Sequence, residues 1–413
     1  MVGLWFLAVE HLRLGSWDLL KGYTGGDDRD IDPRIAMQIV NEAAICKNRV
    51  RKSNYISHQG FEILNGLSFL ASDVQVHNFF DEHTVSQAQA LQETLATIRQ
   101  NNGHYKGEVI AIDPHRIVST SKRIMPKKKK QPNEPSRKML QTFFSLDTQT
   151  GQPIGCGIGT TGVNTTKATF DLLKLTNKIK HNTALILADK EHFTEELIRG
   201  INTSNKFEFL VPAILNTRIK KIAATLNYNR KWAGYAIAET SFNFVNHDDK
   251  YRLIVQREGE IEAEYKYMPF LTLSDKSAVT LLCDRYKERW SIEEFFNFDG
   301  AMGFDRASTF NLNIRYGKMS LALIAQAATY QLRQKLAKPY SRWNSTHLSD
   351  AVFNKIDGDI RIEHDTIIVT SYNLPKEFGL HNAYQHLPQK LEEEGINPKM
   401  PWLYDLKLDF RFK

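Results

Sequence analysis

The sequence predicts an α/β chain: a mixed-sheet core, preceded by an all-α region and interrupted by an all-β insertion. Three observations lead there. Residues 1 to about 105 carry apolar residues at helical spacing and little strand signal. Two short apolar runs, 108–113 and 184–189, each enter an aspartate, and a hairpin and a helix lie between them. Residues 207–273 are rich in aromatic and β-branched residues, with no helices alternating between the strands. The 413 residues correspond to two or three domains at about 150 residues each.

In order along the chain, Ile35, Ile39 and Val40 mark one N-terminal helix. Leu91, Leu95 and Ile98 mark another, stopped at Asn101-Asn102-Gly103. His58, His77 and His83 are scattered and suggest no metal site. A buried strand over 108–113 ends in Asp113. Residues 121–138 hold eight basic residues against one acid, Glu134, and three prolines, and read as an exposed basic loop. Strands 142–146 and 154–159 form a hairpin around the turn 147–151. An amphipathic helix over 165–178 follows, then the strand 184–189 ending in Asp189, then a helix through Glu195, Leu197 and Ile198. The insertion contributes strands 207–212, 235–244, 251–256 and 263–271. Ser274-Asp275 is expected to cap a long helix running to about Phe298, and an apolar helix spans 319–336. The expected divisions are 1–105, a helical domain (DNA-binding, by the resemblance described below); 106–206 and 274–336, the two parts of the core; 207–273, the insertion; and 337–413, a C-terminal region.

Composition narrows the classes of function. Apolar residues are 42% and charged residues 24%, which excludes a largely disordered chain. The net charge of +7 favours polyanionic partners. Cys46, Cys156 and Cys283 are far apart and make neither a zinc spacing nor a disulfide framework. The apolar start, 1–9, lacks the basic flank and cleavage site of a signal peptide, and Glu10 and His11 end it early. It reads as a buried segment. No apolar run approaches the ~18 residues of a membrane span, so the cytoplasm is the expected location.

The chemistry concentrates in residues 284–300. Tyr286, Arg289 and Glu293 lie at offsets of 0, 3 and 7, which fall within about 60° of arc on a helix. One face therefore carries a phenol, a guanidinium and a carboxylate; Glu294 lies about 100° round from Glu293. Taken alone, this is an ordinary i, i+4 surface ion pair worth a few tenths of a kcal/mol. Two strand-end aspartates joined by a helix-borne glutamate give it another meaning. Such a set can form an oxygen-only cage suited to Mg²⁺ or Mn²⁺, and a pair of ions can clamp both oxygens of a phosphodiester displacement.

The runs ending in Asp113 and Asp189, with Tyr286-x-x-Arg289-Trp290-x-Ile292-Glu293, resemble the signatures of bacterial insertion-sequence transposases of the DDE class. More narrowly, they are similar to the cut-and-paste family with the Y-x2-R-x3-E-x6-K signature. The resemblance covers about residues 105–335. It implies an RNase H-like core, with a β-rich insertion between the second Asp and the Glu. Asp189 follows Asp113 by 76 residues and Glu293 follows Asp189 by 104, and the β-rich stretch falls in the longer gap. The signature Lys is replaced by Gly300, and Arg306 or Lys287 is the candidate substitute.

The resemblance implies Asp113, Asp189 and Glu293 as catalytic residues and ligands of two Mg²⁺ or Mn²⁺ ions, Asp113 bridging both. Tyr286 and Arg289 would meet the phosphate backbone. Trp290 is either a core residue or a platform for a base. Lys122, Arg123, Lys127, Lys128, Lys129 and Lys130 would contact DNA phosphates or stay solvated. His115 and His192 follow the aspartates closely, as bystanders or as groups behind the ligands. The partners implied are element-end and target DNA, on which the family acts as a homodimer, in a bacterial cytoplasm at the nucleoid. The reaction implied is cleavage at element ends followed by strand transfer. The alternatives are a transposase-derived DNA-binding protein without cleavage and an RNase H-like nuclease without strand transfer.

Overall fold

The computed structural model describes residues 1–47, 59–119, 122, 124, 126–129, 133–160, 165–179, 183–245, 247–305 and 309–413. The chain divides into two compact units, one of residues 103–294 and one of 1–102 with 295–413.

The first of these is built on one large mixed sheet. Its strands are β1 (Val109–Val118), β2 (Lys127–Lys128), β3 (Arg137–Asp147), β4 (Gln152–Thr160), β5 (Ala184–Ala188), β6 (Phe207–Pro212), β7 (Asn229–Trp232), β8 (Tyr235–Phe242), β9 (Tyr251–Glu258) and β10 (Lys266–Thr272). The order is β4-β3-β1-β5-β6-β10-β9-β8-β7, with β2 against the start of β3. Strands β4 and β1 are each antiparallel to β3 between them, while β1, β5 and β6 run parallel. That arrangement is consistent with the expected RNase H-like core. The parallel steps are joined by helices at Thr165–Ile179 and Glu195–Ser204, the second capped by the Thr194 side chain on Leu197 N.

Several sequence expectations change. Strand β1 does not stop at Asp113, because its antiparallel ladder to β3 continues from Ile110↔Asp147 to Val118↔Met139. The basic segment is not wholly irregular: Lys127 and Lys128 pair with Lys138 and Arg137. The 207–273 stretch is not a separate all-β body. It contains a helix, Thr217–Thr225, and β10 pairs with the free edge of β6, so its strands extend the core sheet. The long helix starts at Ser277, whose hydroxyl accepts from Thr280 N, and not at Ser274-Asp275. It is also irregular. A π-helical segment, Thr280–Arg285, is followed by a 3₁₀ segment, Tyr286–Trp290, before the α-helix Ser291–Asp299 begins.

The other unit packs N-terminal helices around the 24-residue helix Leu312–Lys335, capped by Asn311. That helix is apolar on most sides, as a central helix must be. Gln92 donates to Ser320 and Arg99 to Gln326, each at 3.0 Å. Residues 1–102 are therefore not a free-standing domain, and this helix belongs with them. The C-terminal region adds a four-stranded sheet, and its Phe410 stacks on Phe6 at 4.8 Å. Trp5, Phe6 and Leu7 are fully buried, as the apolar start of the chain suggests. Among the described residues no helix is long and apolar enough to cross a membrane.

Candidate active site

The parallel register of β1 and β5 brings the two aspartates together. Val109 pairs with Leu185 and Ile112 with Ala188. One step further in the same register sets Asp113 beside Asp189, on strands about 4.8 Å apart. Side chains alternate along a strand, so Asp113 shares a face with Val109, and Asp189 with Leu185 and Leu187. Those three apolar residues pack in one cluster with Leu281, Leu282 and Tyr286. The aspartates therefore lie on the sheet face covered by the motif-bearing helix. Burial of that helix sets its rotation: the Tyr286 ring meets Phe270 edge-on at 4.9 Å.

The 3₁₀ turn eclipses residues three apart, so Tyr286 and Arg289 stay in one column although the helix is not regular. Arg289 Nη1 lies 3.5 Å from Asp113 Oδ2, and its Nη2 lies 3.6 Å from Glu293 Oε1. Arg289 also sits 6.0 Å from the Tyr286 ring and 5.5 Å from that of Trp290. The structure thus brings Asp113, Asp189, Tyr286, Arg289 and Glu293 to one place. Glu294 is exposed. Trp290 is 56% exposed, so it is not a core residue. Lys122, Lys127 and Lys129 are exposed. Arg123, Lys130, Arg306 and the Lys128 side chain lie outside the described residues. Lys287 is exposed about 120° round the 3₁₀ turn from Tyr286, off the shared face.

Glu288 and Thr148, which the sequence did not single out, support the site. Glu288 accepts from Thr148 Oγ1 at 2.7 Å and from Arg285 at 2.9 Å, tying the motif segment to the β3–β4 turn. No sequence pattern announces this contact, since 140 positions separate its partners. Gly300 is buried, and its carbonyl accepts from Gly303 N and Phe304 N at 3.0 Å each. A Cβ there would meet Asp305 at an ordinary 3.6 Å, so packing against its described neighbours does not demand glycine.

The electrostatics are those of crowded carboxylates. Burial pushes Asp113 up to about 7; the charge of Asp189 adds to this, while Arg289 and His192 oppose it. Burial also works on Asp189, but the His192 hydrogen bond and charge and the Glu191 backbone N–H hold it below its ordinary value. Burial raises Tyr286. A divalent cation would relieve the Asp113–Asp189 repulsion, and three carboxylates are the oxygen donors that Mg²⁺ and Mn²⁺ take. The residues fit such ions in kind. Among the described residues, however, no three His, Cys, Asp or Glu side chains already converge as a metal-holding group. Glu293 now faces Arg289.

The raised Asp113 gives a stability prediction. An acid with a raised folded-state value is penalised only when ionised. The cost is absent below its ordinary 3.8, grows as pH rises towards about 7 and is complete above that. In chelator, Asp113→Asn should therefore raise the melting temperature by several degrees at about pH 8 and much less at about pH 4.5. Thermal melts at both values check this, and an equal shift at both would refute it.

Fold and site together define a protein with two neighbouring acids, Asp113 within β1 and Asp189 just after β5, under an arginine- and glutamate-bearing helix. Residues 104–327, more than half of the chain, match the transposase DDE domain family, and the chain belongs to that family. No curated protein gives a significant sequence match. The chain is also similar to a cryo-EM structure of the piggyBac transposase synaptic complex with hairpin DNA. That similarity has 14% identity and a TM-score of 0.47, over 84% of this chain and 79% of that one.

Proposed function

We propose that this protein is a DNA transposase that cuts at element ends and joins them to target DNA. The observation that carries the reading is the in-register meeting of Asp113 and Asp189 beneath the helix bearing Tyr286, Arg289 and Glu293. Family membership supports divalent-metal chemistry, since DDE transposases generally use such ions. Asp113, Asp189 and Glu293 would hold two Mg²⁺ or Mn²⁺ ions, which would activate the attacking oxygen and stabilise the leaving one. Asp113, which neighbours Asp189 across the strands and Glu293 through Arg289, would serve as the ligand common to both ions. Glu293 must turn from Arg289 to join them. That frees the planar guanidinium, whose two parallel N–H groups can grip two oxygens of one phosphate. Tyr286, wedged against Phe270, would fix the same phosphate from the neighbouring position. The Y-R-E motif supports the narrower reading of a Y-R-E-K transposase, although Gly300 offers no side chain for the last role.

A supercoiled plasmid carrying the gene's own flanking sequences tests this. Excision with integration supports the proposal. Binding without cutting would favour the DNA-binding alternative, and cutting without joining a nuclease. We further propose that the DNA runs past the exposed Lys122, Lys127 and Lys129, and that two copies of the chain act on it together. Neutralising Lys127, Lys128, Lys129 and Lys130 should weaken binding to all sequences alike, because phosphate contacts carry little sequence information. The slope of log affinity against log salt should become shallower, by up to about 0.9 for each phosphate that is no longer neutralised. An unchanged slope would mean that the segment is solvated and idle.

A further inference from the structure

We infer that His192 is a positioning residue that fixes Asp189 for cation binding, an inference that rests on the metal-site reading above. His192 follows Asp189 through one turn of 3₁₀ helix, Lys190–His192, which starts with the Asp189 side chain capping Glu191 N at 3.0 Å. The turn folds the imidazole back, and His192 Nδ1 meets Asp189 Oδ1 at 2.7 Å. Both hydrogen bonds fall on Oδ1, and Oδ2 receives none among the described residues. The carboxylate is thus pinned by one oxygen and presents the other.

The rest of the His192 ring has no polar role. The side chain is 1% exposed, and Nε2 has no hydrogen-bond partner among the described residues. It borders a small, largely apolar pocket with Ile186, Leu197, Ile198, Ile201 and Phe209, and the one hydroxyl there, on Thr169, is spent on the Thr165 carbonyl. A phenylalanine would suit those walls better, since an unpartnered buried ring nitrogen is unfavourable. Only the bond to Asp189 distinguishes a histidine there. In that bond Nδ1 donates, since a carboxylate oxygen accepts, and the ring's other nitrogen makes no hydrogen bond among the described residues. Partners of this kind behind a metal ligand set its orientation, and losing one typically weakens metal affinity by roughly 10- to 100-fold.

Three variants of the full chain separate positioning from packing, read by Mn²⁺ titration calorimetry and thermal melting in chelator. His192→Phe fills the pocket but removes the donor, and should keep the melting temperature while weakening Mn²⁺ binding roughly 10-fold or more. His192→Asn leaves space in the pocket but restores an N–H near the Nδ1 position. It should melt lower yet bind Mn²⁺ within about threefold of the parent, better than Phe does. His192→Gln places its amide towards the Nε2 position and should not rescue. If Phe binds Mn²⁺ as the parent does, or if affinity follows melting temperature across the series, positioning by His192 is overturned while the metal site stands. If the parent itself binds no Mn²⁺, the metal-site reading fails and this inference fails with it.

Discussion

Asp113→Asn, Asp189→Asn and Glu293→Gln are each expected to abolish Mg²⁺-dependent cleavage of element-end DNA, lowering the rate by roughly a hundredfold or more. DNA affinity should change little, because the proposed basic surface, and not these acids, would carry the phosphate contacts. The size of the effect follows from the arrangement. Each carboxylate would supply ligand oxygens that no neighbour duplicates, and the substitutions keep shape while removing charge. Glu294→Gln is the internal control. Glu294 is exposed and outside the column that joins Tyr286, Arg289 and Glu293, so its variant should cut at the parent rate. Loss of cutting at Glu294 with survival at Glu293 would show that the helix presents its other acid.

The second large effect is on stability. Asp299 lies on the same helix as Glu293, yet it is a structural acid. Arg333 grips it through Nη2 at 2.7 Å and Nη1 at 3.1 Å, and Gln326 donates to it at 2.9 Å. Both partners of the ion pair are almost wholly buried. Asp299→Ala leaves the Arg333 charge uncompensated in the interior, at a cost of about 3–5 kcal/mol. The melting temperature should fall by roughly 10 °C, at about 2–4 °C per kcal/mol for a unit of this size. Combining Asp299→Leu with Arg333→Met removes both charges and should recover most of the fall. A melt of Asp299→Ala within about 2 °C of the parent would contradict this role.

The contrast between Asp299 and the proposed catalytic acids shows what sequence can and cannot convey. Asp113 and Asp189 are legible because each ends a buried apolar run, a local pattern. That they are neighbours depends on the parallel pairing of strands more than seventy positions apart, and a single sequence gives only each strand separately. The Tyr286–Arg289–Glu293 column is legible although the helix is partly π and partly 3₁₀. The 3₁₀ turn keeps positions three apart aligned, so the column survives the change of helix type. The edge pairing of β10 with β6 is not legible. A strand's own residues fit a closed insertion or an extended sheet equally well, and only the partner decides. The same holds for Glu288 and Thr148, and for His192, whose meaning lies in an apolar pocket assembled from distant elements.

Anomalous scattering from crystals of the full chain grown with Mn²⁺ tests the central claim most directly. The proposed site predicts density for manganese between the carboxylates of Asp113 and Asp189, with Glu293 turned away from Arg289 to complete the ligands. Manganese bound elsewhere, or an empty Asp113–Asp189 pair beside an unmoved Arg289–Glu293 contact at saturating metal, would contradict it.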